Sequence, residues 1–505
     1  MESNMSSTKP SDERNTQQTD PEPESPIEDD LRERPLDIPS NVLSLDFSQH
    51  SDEELADMYE SAWTTGSVEE LEKARQRSLR GHTNDEFARR YRRARGGPVR
   101  PEDVNLLATA DSVKSPPSIT NYEVKEVIRD EFGDEGWMVM KPLLATHATL
   151  LLDDIESSRA MMVEGQSGVG KTMLLKTFGG LNEQFCRRSG ITPASFVSAG
   201  PSKSKDDPDN DDLLPQLEGR TLTVRDAQTW FAGSEQTVRS RWGKLARMMD
   251  GDGYYRHTAT GGKVGYDDIR FNFIGATTPL DPRAWNVMGN VGQRLLFVEW
   301  PEEDYEDGWL RSMAEGGERQ PVNRGRNAVQ EFLGDLWGFH GDAASVAWTD
   351  EPMSEEVEAP LQRLASVVAH ARGSLQGGKA NIEAPKRIGM LLYDLARGHA
   401  LIHGRTHLEL EDVEVCGRVA LSTMPSKRRG IVRALLDPER DNPLTASDVE
   451  TILDVSRPTA RDRIDEVAAL GLGEVVKETG RGGTTKAVQA KPDFSWPDEL
   501  TFPEF

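Results

Sequence analysis

The run Gly165-Gln166-Ser167-Gly168-Val169-Gly170-Lys171-Thr172 constrains this chain more than any other segment. It follows the apolar run AMMVE and precedes the helical TMLLKTF. That strand-before, helix-after setting is the context in which GxxxxGK[ST] acts as a phosphate loop: glycines let the backbone wrap an anion, and amide N–H groups with a helix start supply positive potential. All eight residues are therefore candidate nucleotide contacts. Lys171 is expected to reach the β- and γ-phosphates and Thr172 to ligate Mg²⁺, so the expected cofactors are ATP and Mg²⁺.

Around this loop, from about residue 119 to 300, strand-like runs alternate with helices. The runs are AMMVEG, ASFVSAG, TLTVRD, FNFIGATT and RLLFVEW, each short, apolar and bounded by Gly, Pro or polar residues. Such runs suit strands buried in a helix-covered parallel sheet, which makes the fold class α/β. The acid-ended LLLDD precedes the loop too closely to leave room for a crossover helix. TLTVRD comes later and in the right order, so Asp226 is the expected Mg²⁺ acid at the end of a neighbouring strand. Thr277 and Thr278 close FNFIGATT and can hydrogen-bond the γ-phosphate or the attacking water. YYRHTATGGKVGYDD, with Gly-Gly between two β-prone arms, reads as a hairpin.

A chain of 505 residues holds roughly three or four units of ordinary size. Residues 1–40 are acidic, Ser- and Pro-rich and predicted disordered; 41–118 read as a helical N-terminal region; 119–355 as the nucleotide-binding core. No element is assigned within 301–355. Residues 356–427 are purely helical, 428–492 form a small mixed unit, and 493–505 an acidic tail. No apolar run is long enough for a membrane helix, no signal peptide is visible, and two cysteines, Cys186 and Cys416, suit buried thiols in a reducing cytoplasm. The net charge of -26 argues against nucleic acid globally, but the cations comprise 17 Lys and 43 Arg. An acidic, lysine-poor, arginine-rich composition resembles that of salt-in halophiles, so only local basic patches speak about partners.

Phosphate loop, acid-ended strand, polar-ended strand, an arginine before the fifth strand and a helical segment together resemble an AAA+ ATPase over about residues 119–425. The resemblance implies self-association into a ring, with an arginine finger reaching a neighbour's γ-phosphate. Arg294 is the best match and Arg283 the runner-up. The helical segment 356–427 then becomes a lid, in which Arg387, opening a long helix, matches a phosphate-sensing arginine. The sequence departs from the family at the second acid: Ala227 stands where a Glu would polarise the attacking water, and Glu235 is the nearest substitute.

The C-terminal unit reads as helix, helix, helix and a basic hairpin, a winged helix-turn-helix. Its 12 basic and 11 acidic residues between Lys427 and Lys491 leave it near neutral in an otherwise acidic chain. Arg457, Arg461 and Arg463 lie on the third helix, and Lys477, Arg481 and Lys486 on the hairpin; these are candidate DNA contacts. Lid followed by winged helix resembles the minichromosome maintenance helicases, which also place a pore hairpin where YYRHTATGGKVGYDD stands, making Lys263 and His257 further candidates. The Arg89–Arg95 cluster is a third basic patch. The leading expectation is a DNA-engaged ATPase; the alternatives are an ATP-gated switch and a protein remodeller.

Overall fold

The computed structural model describes residues 123–197, 212–251, 253–257, 263–267, 269–292, 294–301, 321–348, 353–440, 442–480 and 483–503. The disordered, helical and Arg89–Arg95 expectations for 1–118 lie outside these residues, as does Arg481.

A five-stranded parallel sheet organises the molecule: β1 (Ala160–Glu164), β2 (Phe185–Arg188), β3 (Thr221–Val224), β6 (Asn272–Thr277) and β7 (Leu296–Glu299), in the spatial order β2-β3-β6-β1-β7. Asp226 is thus one strand removed from β1, with the Thr277-ended β6 between them. Side chains alternate across the sheet with period two. Met161, Val163, Ile274, Ala276, Leu296 and Val298 enter one core. Ala160, Met162, Leu222, Val224, Phe273 and Phe297 enter the other. With both faces covered, the central strands can be apolar throughout.

One expected strand is corrected. ASFVSAG contains a helical turn, Pro193–Phe196, started by Pro193 and the Thr192/Ser195 capping box. The second strand is instead Phe185–Arg188, an edge strand whose exposed Arg187 and half-buried Arg188 hide it from a search for apolar runs. The hairpin forms as read, with β4 (Tyr254–His257) antiparallel to β5 (Lys263–Tyr266).

Helix α1 (Glu123–Ala148) lies in the first core and breaks at Gly133, where φ is 73°. It is followed by α2 (Lys171–Leu175), α3 (Glu235–Met249), α4 (Pro282–Val291) and α5 (Pro321–His340). Next come α6 (Glu355–Ala371), α7 (Lys386–Ile402) and α8 (Leu410–Ser422), with a small hairpin β8 (Ser374–Gln376)–β9 (Lys379–Asn381) interrupting the segment read as purely helical. Helix α7 crosses α1 so closely that a Cβ at Gly398 would lie 2.0 Å from the Ala145 carbonyl oxygen. Helix α8 ends against β7, where the Phe297 N–H donates to Thr423 Oγ1 at 2.9 Å. Helix α7 packs on α1, α8 on the β7 edge of the sheet, and α6 on α7 and α8.

The C-terminal part contains α9 (Ser426–Leu436), β10 (Leu444–Thr445), α10 (Ala446–Leu453) and α11 (Arg457–Ala469). The antiparallel arms β11 (Gly473–Gly480) and β12 (Gly483–Ala490) complete a three-stranded sheet in the order β10-β12-β11. Ser456 occupies the cap position of α11, though its hydroxyl contacts Thr459 Oγ1 at 3.0 Å instead of a backbone N–H. Residues 493–503, read as a tail, pack down: Phe494, Trp496 and Leu500 are buried, and Trp496 Nε1 donates to the Leu500 carbonyl at 2.9 Å. No helix among the described residues is long and apolar enough to cross a membrane. Both cysteines are buried free thiols, and burial raises the pKa of each.

Candidate nucleotide site

Parallel strands direct their carboxyl ends to one side of the sheet, where loops of open α/β folds gather ligands. The residues between β1 and α2 turn through left-handed Gly168 (φ 99°) and Gly170 (φ 102°), conformations that cost a side-chain-bearing residue energy. A Cβ on Gly168 would meet nothing within 4 Å, so the loop is open on that side. Beneath it, Trp300 packs so tightly that a Cβ on Gly165 would lie 2.9 Å from its side chain. The Gly165 N–H donates to the Thr277 carbonyl at 3.3 Å, and Trp300 N–H to that of Glu164 at 2.8 Å, so both neighbouring strands brace the loop.

Lys171 is buried, and its Nζ donates to the Gly165 carbonyl at 2.7 Å and to that of Gln166. Burial lowers its pKa, opposed by the charges of Asp226 and Glu164. Among the described residues no carboxylate lies within ion-pair distance of it, and its hydrogen bonds go to carbonyl oxygens. Thr172 is exposed beside it. Asp226 is exposed, with Oδ1 accepting from the Gln228 N–H at 3.0 Å. Thr277 is buried, its hydroxyl donating to the Thr278 carbonyl at 2.9 Å, and Thr278 is half-buried. Gly165–Thr172, Asp226, Thr277 and Thr278 thus share one end of the sheet.

Ala227 is buried, and its N–H continues the β3–β6 pairing by donating to the Ala276 carbonyl at 2.8 Å. Glu235 begins α3 and pairs with Arg239 at 2.9 Å.

One carboxylate here escaped the sequence reading. Glu164 is buried at the end of β1; Oε1 accepts from the Leu280 N–H at 2.9 Å and Oε2 pairs with Arg429. Arg429 also donates to Glu299 Oε1 at 2.6 Å, and Arg433 pairs with Glu299. The two arginines outweigh burial and hold Glu299 below the ordinary carboxylate pKa, although burial is the largest single influence. This chain of charges joins the strand preceding the phosphate loop to α9. An acid closing an otherwise apolar strand was its only signal in the sequence.

Arg294 and Arg387 meet at the opposite end. Register pairs Leu296 with Met161, so Arg294 stands level with Arg159, six residues before Gly165 and roughly 20 Å from it at about 3.3 Å per residue. Its guanidinium grips Asp250, which caps α3, with contacts of 2.5 and 2.8 Å. A Cβ on Gly292 would lie 2.5 Å from Arg387 Nη1 and 3.2 Å from Arg294 Nη1, so the two arginines flank that glycine. Arg387 is exposed and pairs with Glu383 at 3.0 Å. Arg283 is bound by Asp281, which caps its own helix; those hydrogen bonds lower the Asp281 pKa to about 2.

On the C-terminal unit Arg457, Arg461 and Lys477 are exposed, Arg457 and Arg461 one turn apart on α11. Arg463 pairs with Glu466 and Lys486 with Asp465. Lys263 opens β5 opposite His257; the side chains of both lie outside the described residues.

No family model matches the chain, and no curated protein matches it. Similar solved structures include "The A form apo structure of NrS-1 C terminal region-CTR", 14% identical over 73% of this chain and 75% of that one, with a TM-score of 0.23. A second A-form apo structure of the same region is 13% identical over 73% and 74%, with a TM-score of 0.22.

Proposed function

We propose that this chain is an ATP-binding ATPase of the AAA+ type that self-associates and acts on DNA through a C-terminal winged helix. The observation that carries the reading is the glycine cradle around buried Lys171, an ammonium whose partners among the described residues are carbonyls, with an open face above it. A phosphate oxygen is the partner such a group lacks. The donor set also fits Mg²⁺, a hard cation served by a hydroxyl and a carboxylate: exposed Thr172 and Asp226. Bound ATP–Mg²⁺ would supply the anhydride that is cleaved.

In this reading Lys171 and the loop amides hold the phosphates, Thr172 and Asp226 hold the metal, and Thr278 orients the attacking water. The chain's own Arg294, and Arg387 beside it, lie too far from its own loop to help. Arg294, with Arg387 beside it, would act on the loop of a second copy, and Arg294 must first leave Asp250. Helices 355–422 would serve as the family's lid segment, anchored on the sheet. Exposed Arg457, Arg461 and Lys477 would meet DNA phosphates. ATP turnover with and without single- and double-stranded DNA, at high salt, tests this: stimulation by DNA in wild type and none in Lys171→Ala is expected, and a flat response would contradict it.

A second reading, an ATP-gated switch with slow turnover, draws on buried Ala227 in the position of a base. The Glu164–Arg429–Glu299–Arg433 chain would then carry the state of the phosphate loop to α9.

A further inference from the structure

Strands β2 and β3 border a groove of about 440 Å³ at the β2 edge of the sheet. Lys176, Arg187, Arg188, Arg220 and Arg225 line it, and among the described residues no acidic one does. Their polar partners are neutral: Arg188 Nη2 donates to Gln216 Oε1 at 3.1 Å, and Arg225 Nη2 to Ser189 Oγ at 2.5 Å. Among the described residues no carboxylate lies within ion-pair distance of any of the five. In a chain of net charge -26 this is unexpected, because acidic neighbours are plentiful. Elsewhere they are used: Arg159, Arg239, Arg294, Arg397 and Arg405 all have carboxylate partners.

The cations are spread out. Arg220 precedes β3 and Arg225 follows it, about 17 Å apart along an extended strand. Arg187 and Arg188 lie between them on β2, paired with Thr223 and Val224. A lone phosphate would satisfy only one end of such a row, whereas a polyanion would follow it. Four of the five cations are arginines, whose planar fork suits phosphate oxygens. A peptide added to the edge strand would need pockets for alternate side chains. The apolar residues under this groove, Leu175, Phe185 and Cys186, are instead buried core.

We propose that this groove is a binding site for the phosphate backbone of single-stranded nucleic acid, read without regard to sequence. No exposed aromatic ring stands among the described lining residues to stack bases, so the contact is electrostatic. The site is separate from the α11 and hairpin surface in the proposed function, and either can fail without the other.

The test uses the full chain, fluorescein-labelled oligothymidylate and anisotropy over a salt series. Replacing Arg187, Arg188 and Arg220 together with Gln should weaken binding by about 10-fold or more and flatten the log–log salt slope by about 2, since each single-strand phosphate contact contributes roughly 0.7. Arg225 is left intact because it neighbours Asp226. The triple Arg→Lys variant should retain most of the binding, which separates lost charge from lost packing, and affinity for a fluorescent ATP analogue should stay unchanged in both. The companion variant Arg457→Gln/Arg461→Gln should leave the groove's share of the slope in place. An unchanged affinity and slope in the Gln triple would overturn the proposal. So would displacement of the oligonucleotide by inorganic phosphate at matched ionic strength, which would mark a small-anion site, or equal competition by polyglutamate, which would mark an acidic protein partner.

Discussion

The two ends of the central sheet are built on opposite plans. At the amino ends the backbone is closed off by buried polar side chains. His147 contacts Thr221 Oγ1 at 2.7 Å and Gln184 Oε1 at 3.2 Å while stacking between Phe185 and Trp337. Asn272 Nδ2 donates to the Thr146 carbonyl at 2.7 Å, and Arg270 Nη1 to that of Leu152 at 2.7 Å. Asp394, fully buried, accepts from Arg159 Nε at 2.6 Å. At the carboxyl ends the loop, Thr172 and Asp226 are open. One end is finished internally; the other leaves polar side chains exposed. Arg294 and Arg387 break the pattern, because they gather at the closed end yet are the residues the proposed function sets against phosphate. In the proposed reading, the contrast teaches that a single chain would carry both halves of a catalytic site but hold them apart.

The largest effect that would sharpen this contrast is at the closed end. Arg294→Ala should lower ATP turnover by about 10³-fold, the lower range for an arginine finger, while nucleotide affinity changes little. Parallel turnover and binding titrations check it; a large loss of affinity would instead make Arg294 part of the fold. At the open end, Lys171→Ala should weaken ATP binding by roughly 100-fold, about 2.7 kcal/mol, within the range for charge-assisted hydrogen bonds. Fluorescent-nucleotide titration measures it, and unaltered affinity would break the assignment of the loop.

A third, smaller effect probes the closed end through pH. Burial lowers the pKa of His147 to about 3 and of His340 to about 4, from 6.5. Both folded-state values lie below the unfolded one, so below about pH 6.5 the unfolded chain binds more protons and stability falls with pH. Each contributes a slope of about 1.4 kcal/mol per pH unit well inside its window. Between pH 6 and 4.5, denaturant unfolding of His147→Gln should show a slope lower by that amount; an unchanged slope would mean His147 titrates normally. The smallest effect concerns the missing base. Glu235 is exposed and pairs with Arg239 on the surface, so Glu235→Gln should change turnover by less than about 2-fold. A loss of two orders of magnitude would make Glu235 the base.

Much of the open end was legible because its signals are local. Glycine spacing defines the loop, and continuous apolar runs define four of the five strands. The edge strand was not legible: Phe185–Arg188 buries only part of its length, and its arginines serve a groove instead of a core. Helix α5 was hidden by its glycines; a Cβ on Gly325 would lie 3.0 Å from Thr177 Cγ2, so close packing required a poor helix former. The Glu164–Arg429 pair spans 265 residues, and no spacing rule could have joined its members. The terminal segment looked like a tail because its acids outnumber its anchors, yet Phe494, Trp496 and Leu500 suffice to seat it. Site residues drawn from one loop are readable in sequence, whereas those assembled across the sheet need coordinates.

The claim that the two ends act together through two copies has a direct test. Lys171→Ala and Arg294→Ala chains are each expected to be inactive in ATP turnover, since one lacks the phosphate lysine and the other the finger. Mixed in equal amounts, they should regain turnover, because some interfaces then pair an intact Lys171 with an intact Arg294. Mixtures that stay inactive, although the variants are shown to co-assemble, would contradict a site shared between copies.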